Sequence, residues 1–188
     1  MLIRRVHGLV FSELMFILLI ISALAMVIFV GKLSLDEARR TESTKETAVG
    51  LLRWFNDLAS DSSKVSAALQ EKCKPADPVT GSAPKTEGAV TEKTWAACRD
   101  ALLAKGGPLH EVKNPFKSEY SVFSEKCQRG NQATRGTIVV EESLKVAPGQ
   151  PAAFAPIPLA RALEKDIGIR FTICDKGSFV IKIGESKL

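Results

Sequence analysis

Leu9 to Val30 is a run of 22 residues in which only Ser12, Glu13 and Ser22 are not apolar. As a helix rising about 1.5 Å per residue it would reach roughly 33 Å, close to the thickness of a bilayer core. Arg4 and Arg5 precede it with no acidic residue beside them. The positive-inside rule then places residues 1 to 8 in the cytoplasm and everything after Lys32 outside. Glu13 is the oddity, a carboxylate at the mouth of the stretch Leu14 to Val30, which itself holds no ionisable residue.

Two simple accounts leave something over. Ala23-Leu24-Ala25 offers a small-x-small site for a secretory signal peptidase. Cleavage there would leave MVIFVG as an exposed apolar start, and Glu13 would intrude on the apolar region. A plain signal anchor explains the length but gives Glu13 no role beyond snorkelling to the interface.

A third account takes the junction MLIRRVHG-LVFSEL as one device. A short basic leader ends in Gly8, Leu9 follows, Glu13 stands five residues after the glycine, and the apolar run continues. This pattern resembles the class III signal of type IV pilins and their relatives, the type II secretion pseudopilins. The resemblance implies that a prepilin peptidase cuts between Gly8 and Leu9 and methylates the new N-terminus at Leu9. It implies that the apolar helix is kept, first as membrane anchor and then as filament core. It also gives Glu13 a chemical reason. Cutting after Gly8 creates a cationic amine at the start of an apolar helix, and a buried charge is costly unless paired. Glu13 of a neighbouring, axially staggered subunit would neutralise it, which makes Glu13 a register device and not a catalyst. Leu9 stands where Phe or Met is commoner in the family, and Gly31 is the sole helix breaker near the end of the run. The resemblance is specific over residues 1 to about 60 and architectural beyond.

KLSLDEARRTESTKET, residues 32 to 47, is densely charged and lacks a strong breaker. Lys32–Asp36, Asp36–Arg40 and Glu42–Lys45 stand at helical spacing, so the helix should continue as a solvated polar stretch. Apolar period then returns with Ala48, Leu51, Leu52, Phe55, Leu58 and Ala59, a stripe for packing on a globular head, with Trp54 as a packing residue. One helix of some 50 residues is too long for an ordinary compact domain.

In the remainder, residues 73 to 88 read as a Pro/Gly/Ser/Thr-rich loop and 91 to 105 as a short helix carrying Trp95, Cys98 and Leu102, stopped at Gly106-Gly107-Pro108. Residues 114 to 116 read as a turn, 119 to 123 and 137 to 142 as strands, and the proline-rich 147 to 158 as irregular or extended. Residues 158 to 166 suggest one or two helical turns. IRFTIC (169 to 174), the turn 175 to 177 and SFVIKI (178 to 183) read as a β-hairpin. Four well-spaced cysteines, Cys73, Cys98, Cys127 and Cys174, suit two disulfides and an oxidising compartment, against the alternative of four reduced core thiols. Of three pairings the expected one joins neighbours, Cys73–Cys98 and Cys127–Cys174. The fold expected is α+β and pilin-like. A long protruding N-terminal helix packs on a small antiparallel sheet with a second short helix. The divisions are 1–8 leader, 9–31 transmembrane and filament-core helix, 32–60 its amphipathic continuation and 61–188 head.

No nucleophile elbow, P-loop, zinc-protease or dinucleotide motif occurs, and His110 stands alone after the leader, so no enzyme, metal or cofactor is expected. Asp175-Lys176-Gly177 could be imagined as a cation loop, but its lysine and its sparse carboxylates favour a turn. Lys and Arg exceed Asp and Glu by 26 to 21, and the excess reads as spread along the chain, without a basic stripe among aromatics. Nucleic acid is therefore expected as a partner only through a DNA-uptake role of a fibre. The expectation is a structural subunit of a type IV pilus or similar filament, single-pass in the inner membrane (N-in, C-out) before assembly and extracellular afterwards. Its partners would be other pilins, prepilin peptidase and an inner-membrane assembly platform. The alternatives are a type II secretion pseudopilin and, from another class, a bitopic protein with a ligand-binding ectodomain.

Overall fold

The structure, a computed structural model, describes residues 7–60, 66–73, 93–144 and 151–187, with side chains from Ser12 onward except that of Ala68. Residues 1–6 of the expected leader, residues 74–88 of the expected loop, residues 91–92 of the expected helix and residues 147–150 of the proline-rich stretch lie outside that description. The chain divides into two units, residues 1–39 and 40–188.

One helix, α1 (His7–Ser60), runs through both. In the first unit it is unbroken across Gly31, and every residue from Ser12 to Leu35 is exposed. In the second unit the expected stripe is buried: Ala48, Leu51, Phe55 and Leu58 are sealed at helical spacing, with Leu52 and Trp54 packed beside them. Ala59 departs from the stripe and is exposed. Thr44 joins the buried face one turn earlier, because its hydroxyl donates back to the Arg40 carbonyl at 3.1 Å and needs no other partner. On the polar side Lys45 closes on Glu42 at 3.0 Å.

α2 (Ala67–Cys73) is a seven-residue helix that the sequence does not announce. Too short to persist alone, it buries Leu69 and Cys73 and is bonded through Cys73 to Cys98 of α3 (Trp95–Leu103). α3 begins later than residue 91 because Thr94 is the cap, its hydroxyl accepting from the Ala97 amide at 3.3 Å. Trp95, Cys98 and Leu102 form its buried face, as their spacing predicts.

Four strands, β1 (Ile138–Leu144), β2 (Ala153–Pro156), β3 (Gly168–Cys174) and β4 (Val180–Lys187), make one antiparallel sheet in the order β2-β1-β3-β4. The architecture is α+β. Ile138, Val140, Ile169, Phe171 and Ile173 alternate onto the core side, where Phe171 meets Phe55 at 5.4 Å between ring centroids. β3 and β4 form the expected hairpin, but its connection consumes Ser178 and Phe179. Asp175 Oδ1 accepts from the Gly177 and Phe179 amides at 2.7 and 2.8 Å, and Ser178 sits at φ 60°. β4 also carries a bulge, since Lys182 and Gly184 face the consecutive residues Thr172 and Phe171 and leave Ile183 extra.

Two sequence expectations fail for the same reason. Residues 119–123 are not a strand; only Phe123 bridges Ile138. Buried Asn114 takes the Ser121 and Arg135 carbonyls at 3.1 and 2.8 Å, and the Ser121 hydroxyl takes the Phe123 amide at 3.2 Å. Side chains thus occupy groups that a strand ladder would use. Residues 158–166 are not helical either. The Leu159 and Arg161 carbonyls instead accept from the Ala96 and Trp95 amides, both at 2.9 Å, and satisfy the open N-terminus of α3.

Candidate functional site

The first unit carries the residues that the sequence singles out. Gly8 and Leu9 lie within the first turns of α1, and the helix is continuous through them to Glu13. Glu13 comes four residues after Leu9, about 6 Å along the axis, or just over one turn. It is exposed, and it is the sole ionisable residue from Ser12 to Gly31. Among the described residues it makes no ion pair or hydrogen bond. Ser22, the other polar group inside the apolar stretch, is satisfied locally by donating to the Leu18 carbonyl at 2.8 Å.

Around Glu13 the surface is apolar on all sides of the helix. Leu14 through Ile21, Leu24, Met26 through Val30, Leu33 and Leu35 are all large and exposed. A surface of that size belongs against lipid or other protein. One helix, within Ser12–Ser60, is long and apolar enough to cross a membrane. This unit offers an apolar helical surface of membrane-spanning length with one carboxylate at its start.

The second unit holds the cysteines, and both disulfides are formed: Cys73–Cys98 and Cys127–Cys174. Cys73, Cys98 and Cys174 are sealed, whereas Cys127 is half-buried. The concavities of this unit are occupied with internal pairing. The open depression of about 610 Å³ beside β1 is bordered by Arg161, which reaches Glu142 at 3.0 Å and Glu164 at 3.4 Å. At its rim Lys187 meets Asp166 at 3.0 Å, and that hydrogen bond, with the lysine's charge, holds the Asp166 carboxyl below its usual range. A smaller cavity of about 100 Å³ is walled by Trp95 and Phe123, which already pack edge to face at 5.6 Å. His110 is an exposed loop residue. Among the described residues no group of three or more His, Cys, Asp or Glu side chains is placed to hold a metal ion. Asp175, the candidate cation ligand, spends Oδ1 on its own turn.

Residues that sequence reasoning passed over lie at the β3–β4 end of the sheet: the loop carrying Lys126, Arg129 and Arg135, of which Arg129 sits over the exposed Phe179. Their signal was KCQRGNQATRG, residues 126 to 136, with three cations and no acid. Comparison with models of known protein families, with curated proteins and with solved structures gives no match to this chain.

Proposed function

We propose that this chain is a structural subunit of a type IV pilus or pilus-like filament, anchored in the inner membrane before assembly and polymerised through α1. The observation that carries the proposal is a single helix bearing 24 consecutive exposed residues, Ser12 to Leu35, with one carboxylate at its start. Gly8-Leu9 is the cleavage site of a prepilin peptidase, and the freed amine of Leu9 is the methylated N-terminus. Removing Arg4 and Arg5 with the leader takes the formal charge from +5 to +3. The anchor then holds no cation except that amine.

The pairing follows from electrostatics. Two unit charges at about 4 Å attract by about 1 kcal/mol in water and by several-fold more at the lower effective dielectric of a protein assembly. Desolvation penalises either charge left alone. Copies staggered so that Glu13 meets a neighbour's Leu9 amine satisfy both charges, and copies out of register satisfy neither. The assembly platform and other pilins are the partners this role requires, and the disulfide-bonded head is what the fibre displays.

Glu13→Ala and Glu13→Gln test the role. Both variants should be cleaved normally and should be lost from sheared filaments. Incorporation of either at the wild-type level, with normal processing, overturns the register role.

A further inference from the structure

We infer that the β3–β4 end of the head is a binding site for a single-stranded nucleic acid. This inference stands on the second unit alone and does not depend on the filament proposal. Two segments 47 residues apart in sequence are tied together there by Cys127–Cys174. Thr134 Oγ1 donates to Ser178 Oγ at 3.0 Å, Ser178 Oγ donates to the Asn131 carbonyl at 3.1 Å, and the Gly136 amide donates to the Cys174 carbonyl at 2.8 Å. The loop 126–136 and the turn 175–179 therefore form one braced surface.

Charge collects on it. Residues 126–136 contribute Lys126, Arg129 and Arg135 and no acid; residues 175–179 contribute Asp175 and Lys176, which cancel. The two segments thus sum to +3, or +2 with Glu125 at the rim, against +3 for all 24 basic and 21 acidic side chains after Gly8. Among the described residues Lys126, Arg129 and Arg135 make no ion pair, as is also true of several other surface cations such as Arg53, Lys105 and Lys113, so it is their grouping in one loop that matters. Glu125 is the acid at the rim, and Asp175 is engaged by its own turn.

An aromatic lies at the centre. Phe179 is 48% exposed, and the Arg129 guanidinium sits over its ring, 4.4 Å from the centroid. A flat guanidinium held on a ring is a surface on which a base can stack, and the basic loop that carries Arg129 supplies charge for phosphates. An anionic membrane would need Phe179 free to insert, and this ring is held between Arg129 and the backbone at Gly177, where an added Cβ would lie 2.7 Å from it.

The test uses the full chain in zwitterionic detergent micelles and a fluorescent single-stranded oligonucleotide of mixed sequence. Anisotropy is read over a salt series. Three phosphate contacts give a slope of log Kobs against log salt of about −2. Lys126→Glu/Arg129→Glu/Arg135→Glu should abolish binding, and the milder Arg129→Gln should lessen the slope by about one. Phe179→Ala, which removes the ring that holds the Arg129 guanidinium flat for a base, should weaken binding by about tenfold without changing the slope. Intact disulfides and a native tryptophan spectrum establish that each variant is folded. Absence of binding at low salt overturns the inference. So does binding that survives in Arg129→Gln with an unchanged slope, or binding to phosphatidylserine vesicles without binding to the oligonucleotide.

Discussion

Opening the Cys127–Cys174 bond should weaken the head substantially, and it should be the first of the two bonds to open. Its sequence separation is 47 residues, against 25 for Cys73–Cys98. Restriction of the unfolded chain then gives about 4 kcal/mol for the first bond and about 3.5 kcal/mol for the second. Stability of a domain is about 5–15 kcal/mol, so either loss is a large fraction of it. Exposure, and not loop length, decides the order of reduction. Thiolate attack needs access to sulfur, and Cys127 is half-buried while Cys73 and Cys98 are sealed. The assay has two arms. Cys127→Ala/Cys174→Ala is compared with the wild type by urea unfolding, followed through Trp54 and Trp95, which both report on the second unit. Partial reduction with dithiothreitol is followed by alkylation and peptide mass spectrometry. A loss below about 1 kcal/mol contradicts the chain-restriction argument, and alkylation at Cys73 or Cys98 before Cys127 contradicts the burial argument.

Phe55→Ala removes a fully buried ring that meets Phe171 and Trp54, and it should lower the stability of the head by about 3–5 kcal/mol in the same urea assay. Gly107→Ala should also destabilise strongly, because its Cβ would lie 2.3 Å from the Leu102 carbonyl oxygen, a backbone atom that has no rotamer to retreat to. Gly50→Ala should do the reverse. Nothing lies within 4 Å of that site in α1, so the gain in helix propensity, about 1 kcal/mol, should appear as a raised melting temperature.

The parts of the fold legible in the sequence are those set by local period. The apolar run, the stripe Ala48–Leu51–Phe55–Leu58, the Trp95–Cys98–Leu102 face and the β-branched and hairpin signals of β1, β3 and β4 each follow from residues a few positions apart. What escaped was decided over longer distances. Residues 119–123 have strand composition, yet Asn114 and Ser121 claim their backbone groups. Residues 158–166 have helical composition, yet their carbonyls serve the start of α3. α2 is short enough that Leu69 and the Cys73 bond, and not propensity, hold it. The basic loop 126–136 is local in sequence; what escaped was its neighbour Phe179, which Cys127–Cys174 and the Thr134–Ser178–Asn131 hydrogen bonds bring to it from more than 40 residues away. The residues of the proposed cleavage and register sites, Gly8, Leu9 and Glu13, rest on the sequence alone, because they lie within one short segment.

The central claim is tested most directly by the mass and first residue of the mature chain, measured with and without an active prepilin peptidase. The account predicts a chain that begins at Leu9 and carries one methyl group when the enzyme is present, and one that retains Met1 when it is absent. A chain that keeps Met1 in both cases, or that begins at Met26, would contradict it.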